Sequence, residues 1–118
     1  TLSLRYPLAV VSARNALTTH AFLERNALDP YFAVVVTSQT CPHTKPFPDP
    51  LLYAAHALSV PIQSCLMIGD TVVDIRAARA AGAQSLSVLC GFGTKKELIA
   101  AGTQAILPST MDLAKFLE

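Results

Sequence analysis

Three places in the sequence carry residue types that together suit the binding of a phosphate group. Ser12 offers a hydroxyl, Lys45 a positive charge and Asp70 a carboxylate, and each follows a short apolar run. A hydroxyl beside free backbone N–H groups can hold a phosphate oxygen, and a lysine can neutralise its charge. Asp70 and Asp74 lie four residues apart, so their carboxylates can converge on a hard cation, which prefers oxygen ligands. These positions therefore predict a site for a phosphate and a cation.

Each position also has a purely structural interpretation. A serine in the place of Ser12 can end a strand and cap the next helix, and a loop lysine such as Lys45 is usually solvated. Asp74 fits a capping box with Thr71, which is compatible with a second role at a cation. Asp70 has no comparable structural role, so the functional interpretation is favoured there.

Two further residues stand close to the predicted phosphate site. Arg14 and Asn15 follow Ser12 directly enough to reach a substrate, although both also suit the start of a helix. Three proline residues follow Lys45 in the string "KPFPDP" and stiffen the backbone after the lysine. The loop is therefore expected to hold Lys45 in a restricted position.

Regularly spaced apolar runs predict the elements that must position these residues. The runs span residues 8–11, 33–36, 65–68, 85–89 and 105–107. Near-continuous apolarity is typical of strands that are covered on both faces, as in a parallel sheet. Helices are predicted over residues 16–26, 50–58, 71–82, 94–101 and 111–117. The alternation predicts an α/β fold with a doubly wound parallel sheet, in which ligands bind beyond the carboxyl ends of the strands.

The second of these helices has a predicted start and a predicted buried face. Asp49 is expected to cap it, with Pro50 at the first helical position. The residues expected to share one apolar face are Leu51, Leu52, Ala55 and Leu58.

The composition restricts the class of protein. A chain of 118 residues that is 52% hydrophobic and only 14% charged predicts one folded domain and excludes a disordered chain. Without a basic stripe or a long apolar run, neither a nucleic acid nor a membrane is an expected partner. The three cysteines, Cys41, Cys65 and Cys90, are interpreted as reduced thiols of a cytoplasmic protein.

The order of the motifs resembles one known family. Ser12, then Lys45 in "KPFPDP", then "GDTVVDIRAARAAGA" from Gly69 resemble motifs II, III and IV of the haloacid dehalogenase (HAD) superfamily, closest to its phosphoglycolate-phosphatase-like branch. The resemblance extends over most of the chain. It implies a Rossmann-like, three-layer α/β/α core and a phosphatase that works through an aspartyl-phosphate with Mg²⁺ bound.

The resemblance also implies a role for each site residue. Ser12 and the backbone N–H of Ala13 would bind the phosphoryl group of a small phosphorylated metabolite, with Arg14 and Asn15 nearby. Lys45 would stabilise the charge on nucleophile and phosphate together. Asp70 would bind Mg²⁺, and Asp74 would support that ligand or the waters of the metal.

One departure from the family pattern is large. The family takes its nucleophile and general acid/base from a DxD motif at the end of a central strand, and no DxD occurs in these 118 residues. The helical cap that selects the substrate is also absent. Residues 1–118 therefore resemble the carboxyl-terminal part of a HAD core, inactive alone and completed by an upstream segment of the same protein.

Two other functions remain open from the sequence. One is a non-catalytic module of the same family that binds a cation or a protein partner. The other is a phospho-acceptor receiver domain, which also places acids, a hydroxyl and a lysine on a parallel sheet. Receivers carry the acids first, however, whereas here Ser12 and Lys45 precede Asp70, so the order disfavours this alternative.

Overall fold

The computed structural model describes residues 6–89 and 94–108, which form five strands, four α-helices and two short 3-10 helices (Asp29–Tyr31 and Ile62–Ser64). The strands are β1 (Ala9–Val11), β2 (Val34–Val36), β3 (Leu66–Gly69), β4 (Gln84–Val88) and β5 (Ile106–Leu107). The helices are α1 (Ala16–Arg25), α2 (Asp49–Ala57), α3 (Val72–Ala81) and α4 (Lys95–Ala101). Each of the five predicted strands and the first four predicted helices is confirmed, whereas the predicted helix 111–117 and Cys90 lie outside the described residues.

The strands form two separate parallel sheets. β1 pairs with β2, with Ala9 opposite Val34. The second sheet has the order β3-β4-β5, with Leu66 of β3 opposite Gln84 of β4. Parallel strands need a crossover connection, and helices provide it here, as the predicted α/β class requires.

Local sequence signals explain where the helices begin and end. Asn15 caps α1 by accepting a hydrogen bond from the backbone N–H of Thr18 at 2.8 Å. Capping boxes start α3 at Thr71 and α4 at Thr94. Gly82 ends α3 with φ +87°, a left-handed conformation that glycine adopts without a steric penalty.

Helix α2 begins one residue earlier than the sequence predicts. Pro48 occupies the N-cap position with helical backbone angles, and Asp49 is the first helical residue, so the predicted cap at Asp49 is wrong. The predicted apolar face is also corrected at Leu52, which is 43% exposed, while Ala54 is buried in its place. The second difference follows from helix geometry, because Leu52 is rotated by roughly 100° from Leu51 about the axis, whereas Ala54 and Ala55, three and four residues further on, lie on the same face as Leu51.

Most of the best-buried side chains gather around α3 and the three-stranded sheet, although Val36 of β2 is fully buried as well. Ile75 and Leu86 are at most 2% exposed and Leu98 is fully buried. Ala77 and Ala78 are fully buried too, and their small size lets α3 pack close to its neighbours. Helix α3 contacts β3, β4 and α4, whereas α2 contacts β1, β2 and α3. Because α2 and α3 contact each other, they join the half of the fold built on β1 and β2 to the half built on β3, β4 and β5.

Among residues 6–89 and 94–108, no helix is long and apolar enough to span a membrane bilayer.

Candidate functional site

Lys45 connects the carboxyl ends of the two sheets. Its Nζ donates a hydrogen bond to the backbone carbonyl of Val11, the last residue of β1, at 3.3 Å. The same ammonium lies 2.5 Å from Oδ1 of Asp74, which follows β3. The side chain of Lys45 is only 14% exposed, so the lysine is not the solvated loop residue of the structural interpretation. It places one positive charge between the ends of β1 and β3.

Asp74 is buried and fully occupied by donors of the protein. Its Oδ2 accepts from the backbone N–H of Asp70 at 3.2 Å and from the backbone N–H and hydroxyl of Thr71 at 3.3 and 3.1 Å. Its Oδ1 pairs with Lys45. A buried carboxylate needs such partners, because an unpaired buried charge is strongly destabilising. Asp74 therefore fixes both the turn after β3 and the ammonium of Lys45.

Asp70 contrasts with Asp74 although only four residues separate them. Its backbone N–H is used by Asp74, but its carboxylate oxygens have no hydrogen-bond partner among the described residues. The residue is half-buried at the end of β3. Its carboxylate is therefore free to bind a ligand at the edge of the sheet.

Gly69 makes room for this arrangement. A Cβ atom at position 69 would collide with the Cβ, Cγ and Oδ2 atoms of Asp74. The absence of a side chain lets the carboxylate of Asp74 lie against the end of β3 and reach the backbone N–H of Asp70. The requirement for glycine here is one of close approach, since the φ of this residue is not in the left-handed region.

The loop that carries Lys45 is held by contacts on both sides of the lysine. The rings of His43 and Phe47 stack with their centroids 4.6 Å apart. His43 Nδ1 lies 3.2 Å from Oδ2 of Asp49, at the start of α2. The backbone N–H of Phe47 donates to the carbonyl of Thr44 at 3.0 Å, and the peptide bond between Lys45 and Pro46 is cis. The stacked rings, the contact of His43 with Asp49 and the backbone hydrogen bond of Phe47 hold the loop on both sides of Lys45.

Ser12 continues the ladder between β1 and β2, and its hydroxyl is held by two donors. Its backbone N–H donates to the carbonyl of Val36 at 2.8 Å. Its Oγ accepts from the backbone N–H of Arg14 at 3.0 Å and from the hydroxyl of Thr19 at 3.3 Å. Ser12 thus stands one residue beyond the carbonyl that Lys45 contacts.

The residues after Ser12 differ in how much of their binding capacity is already used. The backbone N–H of Ala13 and the guanidinium of Arg14 have no hydrogen-bond partner among the described residues, and both residues are exposed. The side chain of Asn15, in contrast, caps α1. Gln39 Oε1 accepts from the backbone N–H of Ala16 at 2.8 Å, so part of the start of α1 is satisfied by the protein itself.

An apolar groove of about 870 Å³ separates β1 from β3. Its walls include both strands, from Leu8 to Val11 on one side and from Leu66 to Ile68 on the other, with Leu51 of α2 behind them. Each of these two strands pairs on one side only among the described residues. The groove opens between the strands whose ends Lys45 bridges.

The described residues contain no group of three or more His, Cys, Asp or Glu side chains placed to hold a metal ion. Cys41 and Cys65 are half-buried and form no disulfide, and the thiol of Cys65 donates to the carbonyl of Pro61 at 3.5 Å. Burial raises the pKa of Cys65 above its usual value. Burial, and after it the charge of Asp49, raises the pKa of Cys41.

Comparison with known proteins decides the family of this arrangement. The sequence pattern of the haloacid dehalogenase-like hydrolase family matches residues 2–88, which include Ser12, Lys45, Asp70 and Asp74. The chain belongs to the haloacid dehalogenase-like hydrolase family. Its parallel strands and helices form an α/β Rossmann-like HAD core, as the motif order predicts.

Several individual HAD relatives are similar over most of this chain. A phosphoglycolate phosphatase of Neisseria meningitidis is 37% identical over 77% of the chain and 39% of its own length. One of Nitrosococcus oceani is 30% identical over 96% of the chain and 50% of its own length. The crystal structure of a hydrolase from Pseudomonas syringae superposes with a TM-score of 0.82 at 32% identity, over 89% of this chain and 49% of that one. The chain thus spans half or less of the length of these HAD relatives.

The structure also shows a contact that sequence reasoning missed. Thr19 is buried in α1 and reaches Ser12, seven residues away. A signal was present, because Thr19 and Leu23 are four residues apart and so lie on one face of the helix. Nothing in the sequence, however, indicated which partner the buried hydroxyl of Thr19 would find.

Proposed function

We propose that this chain is part of a Mg²⁺-dependent phosphatase that removes the phosphoryl group of a small phosphorylated metabolite through an aspartyl-phosphate. The observation that carries the proposal is the ammonium of Lys45, fixed between the end of β1 and Asp74, with the free carboxylate of Asp70 nearby. The relatives named phosphoglycolate phosphatase make 2-phosphoglycolate the first substrate to test.

The turn after β1 would bind the phosphoryl oxygens. The hydroxyl of Ser12 and the backbone N–H of Ala13 are donors without an acceptor among the described residues. Arg14 adds a positive charge that is free to approach a phosphate oxygen, and Asn15 orients the first turn of α1 behind them. Donors that are already in place cost no reorganisation when charge develops during the reaction.

Lys45 would stabilise negative charge on the phosphoryl group and on the attacking carboxylate together. Asp74 holds the ammonium in place, and the carbonyl of Val11 limits its direction. A lysine on a flexible loop would have to lose side-chain entropy at each turnover, whereas this one is ordered before substrate binds.

Of the two carboxylates, Asp70 is suited to bind Mg²⁺ directly and Asp74 is not. Asp70 offers a hard carboxylate oxygen with no competing hydrogen bond among the described residues, whereas both oxygens of Asp74 are used by the protein. Asp70 would therefore hold the cation, and Asp74 would support it through the backbone of the turn. Mg²⁺, when bound, neutralises charge on the phosphoryl oxygens, and it commonly uses only one or two carboxylates.

The nucleophile would come from outside the 118 residues, since they contain no DxD motif. The groove between β1 and β3 has the apolar walls that a further parallel strand needs, and both strand edges that face it are unpaired among the described residues. We place there a segment of the same protein that precedes Thr1. Its aspartate oxygen would form the bond to phosphorus as the ester P–O bond breaks, and the leaving alkoxide would take a proton from a general acid of the same segment and depart as the alcohol. Water would then attack the aspartyl-phosphate, which gives free phosphate and regenerates the aspartate.

The experiment measures phosphate release from 2-phosphoglycolate and p-nitrophenyl phosphate by the complete protein that contains this chain, with Mg²⁺ and with EDTA. Asp70→Asn tests the cation ligand, and Glu24→Gln, at an exposed position of α1, is the matched control. We expect Mg²⁺-dependent turnover in wild type and Glu24→Gln, its loss in Asp70→Asn, and none from residues 1–118 alone. Turnover that survives EDTA, or that Asp70→Asn retains in full, would contradict the proposal.

A non-catalytic module is the second candidate function. The observation that favours it is the missing DxD motif together with an Asp74 carboxylate that the protein already neutralises. In that case the complete protein binds Mg²⁺ through Asp70, measurable by calorimetry, but releases no phosphate from either ester.

A further inference from the structure

Thr19 is a buried polar residue on a helix whose neighbouring positions face solvent. It is 4% exposed, whereas Thr18 and His20 on either side are exposed. A threonine inside a helix often bonds its hydroxyl back to the carbonyl four residues earlier. Here that carbonyl, of Asn15, accepts the backbone N–H of Thr19, and the hydroxyl of Thr19 turns to Ser12 instead.

The hydroxyl of Ser12 is therefore used as an acceptor on two sides. The backbone N–H of Arg14 lies 3.0 Å away and the hydroxyl of Thr19 lies 3.3 Å away. A serine oxygen has two acceptor lone pairs and one hydrogen to donate. When both donors are in place, the lone pairs are engaged and only the hydrogen of Ser12 remains. No described residue accepts that hydrogen.

We infer that Thr19 is a positioning residue that keeps the hydroxyl of Ser12 oriented as a donor toward a phosphoryl oxygen of the substrate. The inference rests on the proposed function, because it needs a phosphoryl group at the end of β1. Thr19 donates to Ser12, and Ser12 donates to the substrate. In such a chain each hydrogen bond polarises the next, so a donor that touches no substrate strengthens one that does.

This role differs from packing in a way that substitutions separate. Thr19→Val keeps the branched shape and removes the donor, so it preserves the apolar bulk of the buried helix face that Thr19 shares with Leu23. Thr19→Ser keeps the donor and removes one methyl group. Thr18→Val makes the same change as Thr19→Val on the exposed face of the same helix and is the matched control.

The test is a double-mutant cycle in the complete protein, with kcat and KM measured for 2-phosphoglycolate and p-nitrophenyl phosphate. Thr19→Val is expected to lower kcat about three- to tenfold with little change in KM, because the orientation of Ser12 matters most as charge develops. Thr19→Ser should stay within about twofold of wild type, and Thr18→Val should be unchanged. In a Ser12→Ala background, Thr19→Val should have no further effect on kcat.

Three results would overturn the inference while leaving the proposed function standing. These are an active wild type with an unaffected Thr19→Val, an equal loss in Thr18→Val, and an effect of Thr19→Val that persists in Ser12→Ala. A wild-type protein that neither releases phosphate nor binds inorganic phosphate would instead overturn the proposed function, and the role of Thr19 with it.

Discussion

The half of the molecule built on β3, β4 and β5 is more complete than the half built on β1 and β2. β4 has a partner on each side and four of its five residues are buried, whereas β1 and β2 pair only with each other among the described residues and only Val36 of their six residues is buried. The turns at the strand ends differ in the same way. The carboxylate of Asp74 is fully bonded by the protein, while Ser12, Ala13 and Arg14 keep donors without acceptors among the described residues.

The difference separates what stabilises the fold from what is left to bind a ligand. Substitutions around Asp74 should act mainly on stability, because its partners lie inside the protein. Substitution of Arg14, whose guanidinium has no partner among the described residues, should act on activity and leave stability almost unchanged. Lys45 belongs to both groups, since it joins the two halves at their open ends.

The largest effect is expected at the contact that joins the halves. Lys45→Met keeps the length of the side chain but leaves the buried carboxylate of Asp74 without its counter-charge. We expect the free energy of unfolding of the complete protein to fall by about 3–5 kcal/mol, measured by urea denaturation. Lys96→Met, at an exposed position of α4, should change it by less than about 0.5 kcal/mol.

A second change separates the loss of the ion pair from a general effect of losing a lysine. Adding Asp74→Asn to Lys45→Met removes the stranded charge, so the double variant should recover part of the lost stability. Equal stability of Lys45→Met and Lys96→Met would show that the ion pair does not join the halves.

The cores of the two halves should respond differently to the same truncation. Leu98 of α4 is fully buried, and Leu23 of α1 is 3% exposed but borders a cavity of about 300 Å³. Leu98→Ala should cost about 2–5 kcal/mol, and Leu23→Ala should cost less because its neighbours already leave space. Thermal and urea denaturation of the two variants test this order, and the reverse order would refute the contrast.

Gly69 and Gly82 should differ although the same substitution is made at both. Gly69→Ala forces the buried side chain of Asp74 to move, at a cost of about 1–3 kcal/mol. Gly82→Ala adds a Cβ that lies within 4 Å of no atom of the described residues, so its expected cost of about 1 kcal/mol comes from the φ of +87° alone. Urea denaturation of both variants tests this order. If Gly82→Ala were the less stable variant, the close approach of Asp74 to Gly69 would not be the stronger requirement for glycine.

The smallest effect is expected at the loop before Lys45. Asp49 contributes to the raised pKa of Cys41, after burial, so Asp49→Asn should lower that pKa and increase the thiolate fraction near pH 8. Alkylation of Cys41 by iodoacetamide should then be faster at pH 8. Cys65, whose pKa is raised by burial alone, is the internal control. An unchanged rate at Cys41, or an equal increase at Cys65, would contradict the assignment.

Short-range signals in the sequence predict most of the fold. Apolar β-branched runs locate the strands, and Thr71 with Asp74 correctly predicts the capping box of α3. The start of α2 was missed because Pro48 itself has helical backbone angles, which leaves Asp49 inside the helix and close to His43. The carboxylate of Asp49 contacts His43 rather than capping α2, and a local sequence pattern does not show which of these two partners the carboxylate takes.

The candidate site is predicted less completely, for a physical reason. The residue types of Ser12, Lys45 and Asp70 indicate their chemistry, but their assignments as substrate and metal ligands stay predictions. The contact of Lys45 with Val11 spans 34 positions of the chain, and that of Thr19 with Ser12 joins a helix to a strand end. Tertiary packing creates both contacts, so the pattern of either segment alone cannot show them.

The most direct test of the central claim, that Lys45 is held at the ends of β1 and β3 to act on a phosphoryl group, is the kcat of Lys45→Met. The complete protein, its Lys45→Met variant and its Lys96→Met variant are compared on 2-phosphoglycolate and p-nitrophenyl phosphate with Mg²⁺, at a temperature where each is shown to be folded. We predict a loss in kcat of about 100-fold or more for Lys45→Met alone, with a smaller change in KM. An unchanged kcat in folded Lys45→Met would contradict the account.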